Sequence, residues 1–250
     1  MKIGMVIGSY NAVPHINLSL ELAKRYYPKV KILISDDNSP KKEELISLSK
    51  KYNCDYRSNK TQLGHHPGDL SHFKKGLKWA KENKLDFIFK LSRTFVPLNG
   101  IWISDFKKLY NESECITYSS VCDHYKFGFR TECVIMKVKE WNDPVVFNKI
   151  KTCFKESGGH VFVESFIHQL SQDLSRKYHG KKYLNYINEN GIRDVGFLRL
   201  NWINNNRHKA CNNYLWHNGN SPMDYYLVAK KFGLNYSIDD FSGLNSHRNI

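Results

Sequence analysis

From its first residues to Leu91 the chain alternates short apolar runs with segments of helical periodicity. Lys2 to Ile7 is apolar and stops at Gly8-Ser9-Tyr10-Asn11. Ile16, Leu20, Ala23 and Tyr27 then recur at near-helical spacing, which predicts a helix over 14–27 with Pro28 past its end. Val30 to Ser35 is a second apolar run, closed by Asp36-Asp37-Asn38-Ser39-Pro40. There Ser39 reads as an N-cap and Pro40 as a first helical position, with Leu45, Leu48 and Tyr52 as the buried stripe. Cys54 to Arg57 predicts a third strand and Gly64-His65-His66-Pro67-Gly68 a loop. Leu70, Phe73, Leu77 and Ala80 mark a third helix, and Asp86 to Leu91 a fourth strand. A β-α-β-α-β-α-β series of this kind implies an α/β fold with a mostly parallel central sheet flanked by helices.

Beyond Pro97 the rhythm changes. Helices are expected over 101–110 and 163–177, and a strand over 131–138. Ser221-Pro222-Met223-Asp224 reads as a capped helix start running to about Phe232, with Gly233 to close it. The stretch 201–220, rich in Asn, His and Trp, reads as loop. Neither a repeat nor a low-complexity linker divides the chain, so 1–250 is expected to form one domain with a more irregular second half.

Polar residues stand where the first two strands end. In open α/β sheets, ligands bind outside the carboxyl ends of the strands. The clusters at Ser9-Tyr10-Asn11 and Asp36-Asp37 therefore suggest a nucleotide-type site. An aspartate there can accept hydrogen bonds from a ribose hydroxyl or a base N–H, and Tyr10 offers a ring face and a phenol. Asp37 and Ser39 suit helix capping equally well, whereas Asp36 lies one residue closer to the strand.

Taken in order, these motifs resemble the nucleotide-binding half of GT-A (Rossmann-like) glycosyltransferases, in particular glycosyltransferase family 2. Ile7-Gly8-Ser9-Tyr10-Asn11 resembles that family's first strand ending, and Ile34-Ser35-Asp36-Asp37-Asn38-Ser39 its second. Gly76 to Asn83 followed by Asp86 to Leu91 resembles the helix and strand that lead to the metal-binding D-x-D. The resemblance implies transfer of a sugar from a nucleotide-sugar donor to a glycan or glycolipid acceptor, with inversion. It places the nucleotide on Ser9, Tyr10, Asn11, Asp36 and Asp37, makes 1–100 the donor half and makes 101–250 the acceptor and catalytic half. It also implies a catalytic base from the second half, where Glu164 is the first candidate and Asp123 the second. Either acid equally suits an ordinary surface position.

At the place of the D-x-D the chain reads Phe89-Lys90-Leu91-Ser92-Arg93-Thr94-Phe95. Metal clamps on phosphates use carboxylate oxygens, so the family's Mg or Mn dependence is in question here. Lys90 and Arg93 bring positive charge to the same strand end, and a guanidinium grips phosphate through two parallel hydrogen bonds. The competing readings are a surface position for Arg93 and an opposite strand face for Lys90. His65, His66 and His72 cluster nearby in sequence, while His160 falls four residues before Glu164. No H-E-x-x-H pattern joins any of them to a metal.

Composition adds limits. The net charge is +14, and its lysine pairs are scattered along the chain rather than gathered in one basic stripe. That suits an anionic donor, glycan or membrane face better than a dedicated nucleic-acid binder. Six cysteines without a C-x-x-C pair suggest free thiols in a reducing compartment. With no apolar run near the roughly 20 residues of a membrane span, and no leader-like stretch before the first strand, the expectation is a cytoplasmic protein, or one at the cytoplasmic membrane face. A binding module that has lost catalysis is the alternative, and a basic nucleic-acid-binding protein a weaker one.

Overall fold

The computed structural model describes residues 1–113, 115–121, 129–156, 162–179, 186–187, 193–194, 198–199, 214–215 and 221–242. The first part runs β1 (Ile3–Ser9), α1 (Val13–Tyr26), β2 (Lys31–Asp36), α2 (Lys42–Lys51), β3 (Asp55–Ser58), α3 (His65–Glu82) and β4 (Phe87–Leu91). After it come β5 (Val96–Pro97), α4 (Trp102–Ser113), β6 (Thr117–Val121), β7 (Phe129–Lys137), α5 (Val138–Trp141), α6 (Pro144–Glu156) and α7 (Val163–His179). Four two-residue strands follow: β8 (Tyr186–Ile187), β9 (Arg193–Asp194), β10 (Leu198–Arg199) and β11 (Tyr214–Leu215). The last α-helix among the described residues is α8 (Pro222–Lys231), followed by a 3-10 turn over Asp239–Phe241.

Seven strands form one mixed sheet in the order β10-β6-β7-β4-β1-β2-β3. Only β7 runs against its neighbours; the other pairings in this sheet are parallel. Strands covered on both faces read as unbroken apolar runs, and every residue of β1 is buried. On one face Met5, Ile7, Ile34, Phe89 and Leu91 pack against Ile16 and Leu20 of α1 and Trp102 and Phe106 of α4. On the other, Val6, Leu33, Ile88 and Val134 meet Phe73 and Leu77 of α3, Ile150 of α6 and Ile167 and Leu170 of α7. Each such side chain contributes about 1.5–3 kcal/mol on full burial. This second cluster draws on both halves of the chain, so neither half has a core of its own on that face.

A third cluster sets Leu18 and Leu22 of α1 against Val96, Leu215, Tyr225, Ala229 and Phe241. It fastens the late segment 221–242 across the outside of α1. Asn17 Nδ2 donates to Tyr236 Oη at 2.7 Å, and Tyr52 Oη donates to Asn17 Oδ1 at 2.7 Å. At the start of α8 the Ser221 N–H donates to the Asp224 carboxylate at 2.7 Å, and Gly233 beyond it has a φ of +73°.

Several expectations change. Helix α2 starts at Lys42, and Ser39 is not its cap. The Ser39 hydroxyl is drawn instead into the β2 end, where an acceptor is closer. The segment read as a loop at 64–68 is largely the first turn of α3, entered through Gly64 at φ +88°. Pro67 is no obstacle there, because the first N–H groups of a helix have no intrahelical partner. Helix α6 and strand β6 had no counterpart in the periodicity. The loop expected at 201–220 lies outside the described residues except for β11.

Candidate functional site

Strand β1 lies between β2 and β4, so the order of strands reverses at the β1–β4 boundary. A crevice outside the carboxyl ends of the strands at such a switch point is the usual ligand site of an open α/β sheet. The turns that leave β1 and β2 have the same construction. Asn11 (φ 48°) and Asn38 (φ 57°) both take the left-handed conformation, which asparagine tolerates better than other side chains. Each turns the chain sharply and leaves backbone and short polar side chains at the strand tip.

Arg93 lies two residues past β4, and its guanidinium donates to the Tyr10 carbonyl at 2.7 Å. Among the described residues no carboxylate pairs with it. Burial lowers its pKa, and the Tyr10 phenol opposes that. Ser9 is 1% exposed and its Oγ has no hydrogen-bond partner among the described residues. Ser92 Oγ, at the β4 end, is in the same condition. Buried hydroxyls are nearly always bonded. Two unbonded ones on adjacent strand ends fit a place where a polar ligand completes the set.

The paired aspartates are spoken for internally. Asp36, fully buried, accepts from the Ser39 N–H at 2.8 Å, from the Ser39 hydroxyl, and from Tyr56 Oη and Ser58 Oγ at 3.1 Å each. Ser39 Oγ in turn accepts the Asn11 N–H at 2.9 Å, which links the two left-handed turns. Asp37 accepts from Asn59 Nδ2 at 2.6 Å and from the backbone N–H groups of Leu63 and Gly64 at 3.0 and 3.1 Å. It therefore fixes the approach to α3. The direct ribose contact expected of these carboxylates competes with bonds already made, and their visible role is to hold the turns that carry Tyr10 and Asn11.

Behind them Lys75 of α3 donates to the Asp36 carbonyl at 2.6 Å and to Asn59 Oδ1 at 3.1 Å. Burial brings its pKa down to about 8, against the pull of Asp36 and Asp37. His72, a buried residue, meets Ser35 Oγ at 2.9 Å through Nδ1. Burial first, then Lys75, Lys90 and Arg93, press its pKa well below the ordinary histidine value. Gly8 makes room for this ring, since a Cβ there would be 2.9 Å from it.

Lys90 does not join Arg93 as a diphosphate ligand. It is fully buried on the α3 face, ion-paired with Asp69, bonded to the Thr131 carbonyl at 3.0 Å and set over the Phe73 ring. Strand alternation is the reason: Phe89 and Leu91 face the α1 and α4 layer, so Lys90 faces the other. Its charge locks α3 to β4.

Glu164 stands in the first turn of α7 and acts electrostatically on His65. His65 has its pKa lowered by burial and by His66, and raised in opposition by Asp69 and Glu164, with Arg93 lowering it again. One imidazole thus senses both the cation at the β4 end and the acid from the second half. Glu164 and Arg93 do not pair with each other, and Glu164 has no cationic partner among the described residues. The His66 ring lies 4.7 Å from that of His65 and 5.8 Å from Phe162. Asp123 and His160 lie outside the described residues.

A divalent metal on the diphosphate finds few ligands. The β4 end offers Ser92, Arg93 and Thr94, and the nearby carboxylate of Asp69 is committed to Lys90. No group of three or more His, Cys, Asp or Glu suited to a metal occurs among the described residues. The described residues do not fit the ion. Sequence reasoning missed Asp69 and Lys75 as site supports. A helical acid and lysine facing a strand end carry no mark of their own in one dimension.

No family model matches the chain, and no curated protein matches it in sequence. Solved structures do match it in shape. The galactosyltransferase LgtC, in complex with donor and acceptor sugar analogues, superposes with a TM-score of 0.53 at 10% identity, covering 97% of this chain and 99% of that one. An active-site mutant of LgtC gives 0.54 at 10% identity with the same coverage. The mannosyltransferase PcManGT from Pyrobaculum calidifontis, in complex with GDP-Man and Mn2+, gives 0.52 at 10% identity over 79% of this chain and 54% of that one. The chain therefore spans about half the length of the mannosyltransferase. No helix among the described residues is long and apolar enough to cross a membrane. With its mostly parallel sheet, its flanking helices and these neighbours, the chain has the GT-A-like α/β fold of nucleotide-sugar glycosyltransferases.

Proposed function

We infer that this protein is a glycosyltransferase that moves a sugar from a nucleotide-sugar donor to a glycan or glycolipid acceptor. The observation that supports the reading is Arg93, which ties the β4 end to the Tyr10 carbonyl at the switch point of the sheet, beside hydroxyls of Ser9 and Ser92 that are buried and unbonded among the described residues. An inverting transfer from a diphosphate calls for a cation at the leaving group and a base at the acceptor hydroxyl.

Ser9, Tyr10 and Asn11 form the nucleoside wall, and Asp36 and Asp37 hold the turns that present it. Arg93 binds the diphosphate. The acceptor oxygen attacks the anomeric carbon in line, and the bond from that carbon to the diphosphate oxygen breaks. The electron pair stays on the diphosphate, where Arg93 stabilises it. Glu164 takes the acceptor proton. A single displacement of this kind inverts the anomeric centre. Asp123 is the alternative base. The role usually given to a metal falls to Arg93, so turnover is expected without Mg or Mn. The surplus of positive charge suits an anionic membrane face, where a glycolipid acceptor would be met.

Thermal unfolding in the presence of UDP, GDP, CDP and ADP and their sugar conjugates tests the donor. One of these raises the melting temperature if the reading holds, and none does if it fails. Donor turnover with EDTA, then with added Mn2+, tests the chemistry. Binding without turnover under either condition supports the second reading, a module that holds a nucleotide sugar without transferring it, which the missing carboxylates at the β4 end favour.

A further inference from the structure

Phe162 is 71% exposed, more than any other large apolar side chain among the described residues. A lone exposed apolar residue needs no explanation in itself. The position of this one does. It stands two residues before Glu164, and its carbonyl accepts the Phe166 N–H at 3.0 Å, so its backbone is anchored on the first turn of α7. The apolar stripe of that helix, Val163, Ile167, Leu170 and Leu174, is buried in the core, while Phe162 stays outside it. Its ring meets the His66 ring edge-on at 5.8 Å and 71°. His66 belongs to the first turn of α3 and touches His65, the imidazole that feels Glu164 and Arg93. Two helix starts thus bring an apolar ring and two imidazoles together, and Glu164 follows two residues after that ring in the first turn of α7.

We propose that Phe162 and His66 form the acceptor subsite, a ledge for one pyranose ring whose reacting hydroxyl reaches Glu164. A pyranose has a face of C–H groups and a rim of hydroxyls. The face suits an aromatic surface, as amphipathic rings do in other interfaces, and the rim suits an imidazole and a carboxylate. This subsite rests on the reading of Glu164 as the base. It adds the chemical class of the acceptor's terminal group, an intact pyranose with an accessible apolar face rather than a peptide hydroxyl or a bare phosphate.

The test uses methyl glycosides of glucose, galactose, mannose and N-acetylglucosamine as acceptors, with Phe162→Ala, Phe162→Trp and His66→Ala. Phe162→Ala raises the acceptor KM by roughly tenfold, the loss of about one ring contact, while the donor KM does not move. Phe162→Trp restores the acceptor KM. An unmoved acceptor KM in Phe162→Ala, or a donor KM that rises in parallel, overturns the proposal. Saturation-transfer NMR with the same glycosides and no donor separates this from the reading it rests on. Glycoside binding lost in Phe162→Ala supports the subsite even if no donor is turned over. A wild-type chain that binds none of the glycosides sinks the subsite even if a nucleotide sugar binds.

Discussion

The Arg93 guanidinium donates to the Tyr10 carbonyl at 2.7 Å and so ties the end of β4 to the end of β1 across the switch point of the sheet. A single side chain fixes the gap between the two strand tips and leaves the rest of its donor fork for a ligand. Arg93→Lys is therefore not conservative, because one ammonium cannot serve the carbonyl and a phosphate with the same geometry. Arg93→Ala is expected to lower kcat/KM by about two to three orders of magnitude, and Arg93→Lys to recover little of it. Steady-state kinetics in EDTA decide this; wild-type activity that appears only with Mn2+ would contradict it.

Glu164→Gln removes the proton acceptor and keeps the shape. Transfer is expected to fall by roughly 10²–10⁴-fold, with donor affinity retained. Donor titration beside product formation separates the two effects. Equal loss of both would assign Glu164 to donor binding.

Ser9→Ala makes an unusual pair of predictions. The hydroxyl is buried without a partner among the described residues, so its removal is expected to leave the melting temperature no lower than that of the wild type. Donor affinity should weaken about threefold to tenfold, the net worth of one hydrogen bond. A drop in stability with unchanged affinity would make Ser9 a structural residue.

Lys75 gives a pH dependence of definite sign. Its proton leaves at about pH 8 in the folded chain and at 10.5 in the unfolded one. Between those values the unfolded state binds more protons, so stability rises with pH through the window. Below about 8 the whole cost of the buried charge is present. Urea midpoints measured across the window should climb more steeply for the wild type than for Lys75→Met. Parallel curves would show that Lys75 titrates normally.

Gly68→Ala tests the Asp37 anchor. A Cβ at 68 would stand 2.6 Å from Asp37 Oδ2. That carboxylate is held by Asn59, Leu63 and Gly64 and cannot swing aside without giving up bonds. A loss of about 1–3 kcal/mol is expected, together with weaker donor binding as the entry to α3 shifts. Chemical denaturation reads the first and ligand titration the second.

Much of this fold was legible along the chain because buried parallel strands write themselves as apolar runs with polar stops. β1, β2 and β4 were found within two residues at each end in that way. The start of α3 was not, since Gly, His and Pro in succession signal a loop locally. Only the packing of Leu70 and Phe73 against the sheet carries the helix back to His65. Site residues divided along the same line. Arg93 meets the Tyr10 carbonyl, beside Ser9, where the ends of two neighbouring strands lie. Lys90 went elsewhere because strand alternation, not proximity in sequence, decides which layer a side chain joins. The sequence suggests Asp36 and Asp37 as nucleotide contacts, with capping as the other reading of Asp37, whereas the donors that occupy them, Tyr56, Ser58 and Asn59, arrive from twenty or so residues later.

Tyr225 Oη donates to the Thr94 carbonyl at 2.6 Å, next to Arg93, from 131 residues further along the chain. During synthesis the cationic grip leaves the ribosome long before the tyrosine that braces it. A nascent chain stopped short of α8 would carry the sheet and the guanidinium without their brace, so donor affinity should appear only after α8 has docked.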